Sequence, residues 1–260
     1  MTGAGTGPAL RRPDFIIGGA PRSGTTWLYE LLDKHPEVYM AKPVKPEPKF
    51  FQVDEVYKRG LEHYLRTWFS GAGAAKAAGE KSTNYLECPA AAERIRQDLP
   101  DVKLVFILRE PAGRAFSNYL WSKMNGMEER PFAEALALEA ERERDTPHKL
   151  RYARPHAYFS RGLYAELLGP YFSAFPRDRI LCLRYEDIAG CPEDLAARLH
   201  GFLGVAWRPQ DAKAVGVINP SKKADRLTPE LRRQLQERYK EPNRRLARLL
   251  GPGFRLWDDP

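Results

Sequence analysis

The stretch from Pro13 to Leu32, PDFIIGGAPRSGTTWLYELL, constrains this chain more than any other. Phe15, Ile16 and Ile17 make a continuous apolar run, the pattern of a parallel strand buried on both faces. Gly18 and Gly19 break that run, and Ala20 to Gly24 form a tight loop. Thr25 to Leu32 then reads as a helix, with Trp27, Leu28, Leu31 and Leu32 on or near its apolar side. A strand, a glycine-containing loop and a helix N-terminus together present free backbone N–H groups to an anion. Ser23, Gly24, Thr25 and Thr26 supply those groups, and Arg22 places a cation in the loop. A plain strand–helix turn is the alternative reading.

From Gly19 the loop reads G-x-x-x-x-G-T-T, close to the triphosphate-binding pattern G-x-x-x-x-G-K-[ST]. Thr25 stands where that pattern has the lysine that reaches the terminal phosphates. A second apolar run, Val102 to Leu108, reads as the best buried strand of the chain. It ends in Arg109, where a triphosphatase often has an aspartate that holds magnesium. Ser117 follows eight residues later, with a helix starting near Pro111, so a guanidinium at the strand end and a hydroxyl on the second helical turn converge on one phosphate. That arrangement suits a phosphate bound without a metal. The alternative pairs Arg109 with Glu110 or another surface acid.

At 260 residues the chain fits one α/β domain, expected over 14–260 after a disordered segment over 1–13. Its net charge of +8 calls for an anionic ligand. The basic residues are scattered and spell no nucleic-acid motif, so no nucleic-acid partner is expected. Cys88, Cys182 and Cys191 show no metal-ligand spacing, and three thiols cannot pair completely, which points to a reducing, cytoplasmic compartment. No apolar run reaches the ~18 residues of a membrane span, and the N-terminus has no signal-peptide core.

Between the two strands lies Lys42-Pro43-Val44-Lys45-Pro46-Glu47-Pro48-Lys49-Phe50-Phe51. Its prolines deny the segment regular structure, and the Phe pair anchors it to the core. Glu47 is thereby held among cations, as a surface acid or as a carboxylate positioned to take a proton. Gly79-Glu80-Lys81-Ser82-Thr83-Asn84-Tyr85 carries Lys81 out of a further strand. Helices are expected over 54–69, 89–99, 112–127, 131–144, from about 164 to 175, over 192–203, and over 228–250 with a break near Pro242. A strand is expected over 178–183 and irregular chain over 207–219. The polar, basic segment 145–156 reads as a lid or an acceptor-recognition segment.

PRSGTTWLYELLD and LREPAGRAFSNY together resemble the sulfotransferases that use 3′-phosphoadenosine 5′-phosphosulfate (PAPS). EPKFF, EKSTNY and the spacing between motifs are closest to the heparan-sulfate branch, while SGTTW is equally like the cytosolic branch. The resemblance runs from about Asp14 to the C-terminus. It implies a three-layer α/β fold with a central, mostly parallel sheet flanked by helices, related to P-loop proteins. It implies an enzyme that moves a sulfuryl group from PAPS to a hydroxyl or amine of a small molecule or saccharide, needing no metal. Glu47 matches the general base of the heparan-sulfate branch. Lys81 matches the lysine at the reacting centre, and Ser82 stands where the cytosolic branch has its histidine base. The loop from Arg22 to Thr26 would hold the 5′-phosphosulfate, with Arg22 and Lys81 near the bridging oxygen. Arg109 and Ser117 would hold the 3′-phosphate, with Arg161, Lys222 and Lys223 as further nucleotide contacts. Trp27 would stack on adenine or, equally, pack in the core. A P-loop kinase or ATPase and a non-catalytic anion-binding module are the competing readings.

Overall fold

The computed structural model describes residues 10–147, 152–216 and 226–257. Five strands form one sheet in the order β2-β3-β1-β4-β5: β1 (Phe15–Gly19), β2 (Val38–Met40), β3 (Ala77–Lys81), β4 (Lys103–Leu108) and β5 (Ile180–Arg184). Every pairing among them is parallel. Period-two alternation explains why β1 and β4 read as continuous apolar runs. Ile16, Leu104, Phe106 and Leu108 point into one apolar layer, and Phe15, Ile17, Val105 and Ile107 into the other. Parallel sheets bury both faces, so neither strand has a polar side.

The second layer is covered by α1 (Thr25–Asp33), α10 (Pro192–Leu203) and α11 (Pro209–Ala214). The first is covered by α3 (Leu61–Phe69), α4 (Pro89–Asp98), α8 (Tyr164–Ala174) and the C-terminal half of α12 (Pro229–Leu250). A smaller apolar cluster joins α5 (Pro111–Met124), α6 (Phe132–Ala137) and the N-terminal half of α12. The helices on either side of the sheet give the expected three layers, with a sheet that is wholly parallel among the described residues.

Several boundaries differ from the sequence reading. The segment 54–69 is two helices, α2 (Asp54–Tyr57) and α3, because Gly60 between them adopts φ 84°. The charged stretch 131–144 is likewise two, α6 and α7 (Glu139–Arg144), separated at Leu138. The segment expected to be irregular after Trp207 contains α11. The last helix does not break at Pro242: Leu235, Tyr239, Asn243, Leu246 and Leu250 are buried on both sides of it, and that stripe holds the helix through the missing rung. A short helix, α9 (Asp187–Gly190), follows β5. Residues 10–13 are docked rather than loose: Arg11 pairs with Asp14, and Arg12 donates to the Asp98 carbonyl at 2.9 Å.

β3 reads Ala-Ala-Gly-Glu-Lys, a poor strand by propensity. Gly79 lies opposite Phe15 in register, and a Cβ there would come within 2.3 Å of the Phe15 ring. The strand is small so that this ring can lie across it. Gly79→Ala is therefore expected to destabilise the protein by about 1–3 kcal/mol through overpacking, read as a lowered midpoint in urea unfolding.

Candidate active site

Three adjacent strands deliver the candidate residues to one edge of the sheet. Lys81 closes β3 and is in register with Ile17 of β1. The loop 20–24 follows β1, and Arg109 follows β4, which flanks β1 on its other side. Carboxyl ends of parallel strands are where such folds place their ligands.

The loop itself is shaped for close backbone approach. Gly24 sits at φ 91°, and a Cβ there would meet Ile188 at 2.6 Å and Tyr185 at 2.9 Å. Arg22 also adopts a left-handed conformation, φ 65°, which costs a non-glycine residue of order 1 kcal/mol. α1 starts at Thr25 with no side chain capping its first turn, so its leading N–H groups face the loop's open side. Ser23 and Thr25 are buried, while Arg22, Gly24 and Thr26 are partly exposed.

Two guanidiniums meet beneath that loop. Arg22 donates from Nε to Ser117 Oγ at 3.4 Å, and Arg109 donates from Nη1 to the Arg22 carbonyl at 3.3 Å. Ser117, on the second turn of α5, is 4% exposed. The Arg109 guanidinium lies 4.5 Å over the Tyr185 ring. Among the described residues no carboxylate pairs with either arginine. Glu110, the partner that the alternative reading gave Arg109, instead caps α5 by accepting from the amides of Ala112 at 2.9 Å and Gly113 at 2.7 Å. Glu110 also receives Arg232 of α12 at 2.9 Å. Burial first, and then the positive charge of Arg109, push the Arg22 pKa below the usual arginine value; Arg114 and Arg161 act in the same direction. Arg114 is fully buried, donates to the Tyr158 carbonyl, and leaves Nε and Nη1 without a partner. The site is an unneutralised pocket of positive charge.

On the neighbouring strand Lys81 pairs with Glu47. The lysine side chain is 2% exposed and the glutamate 12%, so the pair opens to solvent on the carboxylate side. Glu47 also accepts from the Thr83 amide at 3.1 Å and the Thr83 hydroxyl at 3.2 Å. The proline-rich segment 42–49 thus brings Glu47 inward, and the surface-acid alternative does not describe it.

Other expected contacts fall elsewhere. Trp27 is 4% exposed and packs in the apolar layer with Leu28, Ile107 and Leu183, so the core alternative describes its place. Arg161 is buried, with Nε on Glu87 at 2.6 Å and Nη1 on Asn118 Oδ1 at 2.9 Å; it supports the 152–162 segment instead of presenting a free donor. Lys222 and Lys223 lie outside the described residues, as do residues 148–151 of the basic segment. The described end of that segment reaches the site: Lys49 Nζ lies 4.0 Å over the Tyr152 ring. Three contributors were missed in the sequence. Tyr164 donates to the Arg109 carbonyl at 2.9 Å and so fixes its backbone. Thr83 and Glu80 support Glu47, Glu80 through a buried network described below. For Glu80 a signal existed, since alternation along β3 turns it away from Lys81, toward the core.

Comparison with known proteins decides the family. The sulfotransferase-domain family model matches residues 12–216. The chain belongs to the sulfotransferase family. It is 30% identical to human heparan sulfate glucosamine 3-O-sulfotransferase 6, over 96% of this chain and 75% of the human protein. The crystal structure of a sulfotransferase from Alicyclobacillus acidocaldarius superposes with a TM-score of 0.75 at 30% identity, covering 92% of this chain and 96% of that one. Mouse sulfotransferase SULT7A1, solved with PAP, shares the fold with a TM-score of 0.59 at 16% identity, covering 92% of this chain and 88% of that one. The protein is therefore an enzyme that transfers a sulfuryl group, and the kinase and non-catalytic readings are not favoured.

An unneutralised cation pocket makes anion binding and stability inseparable. Pyrophosphate, titrated at constant ionic strength, is expected to raise the unfolding midpoint, with a gain in unfolding free energy of about 2.7 kcal/mol at a hundredfold excess over its dissociation constant. Arg109→Ala should blunt that response; an equal response in the variant would place the anion elsewhere.

Proposed function

We propose that this sulfotransferase uses PAPS as donor and sulfates a hydroxyl, or an amine, on a saccharide or small-molecule acceptor, with Glu47 as the base. The observation that carries the reading is the Glu47–Lys81 pair one strand away from the Arg22–Arg109–Ser117 cluster. One half of the site handles a proton, and the other handles negative charge.

The roles follow from charge. Amides from Ser23 to Thr26 take the 5′-phosphate, and Arg109 with Ser117 takes the 3′-phosphate that distinguishes PAPS from ATP. The acceptor oxygen attacks sulfur, and the bond from sulfur to the bridging oxygen breaks. Its electron pair leaves on the 5′-phosphate of adenosine 3′,5′-bisphosphate (PAP), while the acceptor proton passes to Glu47. Arg22 and Lys81 offset the charge that builds on the bridging oxygen. Electrostatics and positioning of this kind carry most of the acceleration in phosphoryl-type transfers. Lys81 has a dual use: without donor it holds Glu47, and an incoming phosphosulfate competes for its ammonium, releasing the carboxylate to act as base. Lys222 and Lys223 remain proposed contacts of the 3′-phosphate.

The saccharide class of acceptor draws on the heparan-sulfate relative, and shared donor machinery leaves the particular acceptor to the residues around Glu47. The proposed compartment is the cytoplasm, a reading supported by three free thiols, Cys88, Cys182 and Cys191. No described helix is long and apolar enough to cross a membrane.

Calorimetric titration tests the donor assignment. PAP is expected to bind tightly without magnesium and ATP weakly; the reverse preference would overturn the assignment. Glu47→Gln is expected to keep PAP affinity and lose turnover about a hundredfold or more, as measured by transfer of labelled sulfate from PAPS. Near-normal turnover would remove Glu47 from the base role.

A further inference from the structure

Glu80 is the residue of β3 that the transfer chemistry leaves unused. It is fully buried on the face opposite Lys81, among Tyr64, Tyr85 and the Phe50–Phe51 pair. Three hydroxyls donate to it: Tyr64 at 3.1 Å and Tyr85 at 2.9 Å on Oε1, and Ser82 at 2.7 Å on Oε2. Two of these hydroxyls are themselves acceptors from the chain that carries Glu47. The Lys49 amide donates to Ser82 Oγ at 2.9 Å, and the Phe51 amide donates to the Tyr85 hydroxyl at 3.3 Å.

Direction is built into this network. Each hydroxyl has one proton. With an amide proton already pointing at the oxygens of Ser82 and Tyr85, their own protons turn toward Glu80. A carboxylate, acceptor only, is the group that matches such an arrangement. The loop needs holding: Lys49 sits at φ 51°, a conformation that costs a residue with a side chain and persists where its surroundings fix it. The prolines at 43, 46 and 48 remove the backbone donors that would otherwise tie the segment down.

We propose that Glu80 is a positioning residue: through the hydroxyls of Ser82 and Tyr85 its carboxylate fixes the amides of Lys49 and Phe51, and so holds Glu47 against Lys81 and Thr83. The proposal rests on the reading of Glu47 as base for its consequence in catalysis, but not for its structural content.

Burial pushes the Glu80 carboxyl up to about 7, against the pull of its three hydroxyl donors; the charge of Glu47 adds to the rise. The titratable groups that face it are Tyr64 from α3, Tyr85 from the turn after β3, and Glu47 from the loop, all neutral or negative; Lys81 points to the other face of the strand. Below about 7 a proton enters a site whose hydroxyl protons already point inward, and one of those donors must turn away. The hydrogen bonds from Ser82 and Tyr85 therefore weaken as pH falls through that value, while burial makes the folded chain take up this proton more readily than the unfolded one, so the effect is local to the loop and overall stability does not fall with it.

Two readouts on the full chain test this. Hydrogen exchange of the peptide covering 47–52 reports the loop, and kcat, KM for acceptor and PAP affinity report the site. Glu80→Gln is expected to raise exchange in 47–52 and lower kcat about tenfold to a hundredfold, the range for a slightly misplaced catalytic group, with PAP affinity unchanged. The step in wild-type 47–52 exchange as pH passes through about 7 should be lost in this variant. Ser82→Ala should act the same way but less, raising exchange at the Lys49 amide, and it decides alone if Glu80→Gln does not fold. Wild-type exchange and kcat in the folded variants, or a pH step in 47–52 exchange that survives Glu80→Gln, would overturn the proposal. If Glu47→Gln stays active while Glu80→Gln loosens 47–52, the base reading fails and the positioning role stands.

Discussion

Arg22 and Arg109 share one small volume without an acid between them, and much of the surrounding structure serves to keep them there. Like charges at such separation repel, and burial removes the water that would screen them. The chain holds them by backbone means: a left-handed turn at Arg22, the Arg22 carbonyl as acceptor for Arg109, and Tyr164 on the Arg109 carbonyl. The acid nearest in sequence, Glu110, is spent on the α5 N-terminus and on Arg232. In the proposed donor complex a phosphate dianion supplies the missing negative charge. Selectivity for such a ligand follows from the fold's own deficit as much as from any single contact.

The Glu47–Lys81 side obeys the opposite rule. Glu47 and Lys81 neutralise one another, and removing either would leave an uncompensated charge in a largely buried place. Attraction alone does not fix a carboxylate to the fraction of an ångström that general-base work requires. That precision comes from Thr83 on one side and, through Ser82 and Tyr85, from the Glu80 network on the other.

The architecture was legible wherever apolar periodicity or a strand-end residue carried it. Phe15–Ile17 and the run ending at Leu108 gave the two central strands, and the residues that follow each gave the cation cluster. Helix ends were less legible because they turn on conformations that a sequence does not display: φ at Gly60 splits one expected helix, and tertiary burial carries α12 across Pro242. Glu47 was readable only through resemblance, since its segment has no periodicity; its inward placement depends on contacts with residues 34 to 36 positions away. Trp27 shows the converse. The motif left a stack on adenine and a place in the core equally open, and the apolar stripe of α1 sets the ring in the apolar layer.

Gly79, Glu80 and Lys81 show how closely the two halves are coupled. Consecutive residues in a strand face opposite sides. Gly79 gives Phe15 the room to cross, which sets β3 tight against β1 and puts Lys81 level with Ile17, one strand from the phosphate loop. Glu80 faces the other way and anchors the segment that brings Glu47 back over the strand end to meet Lys81. In the proposed mechanism, tight strand packing, base positioning and leaving-group stabilisation thus fall to consecutive residues of one strand. A slip of one residue in the β3 register would exchange the faces of Glu80 and Lys81, putting an ammonium into the tyrosine cluster and a second acid beside Glu47.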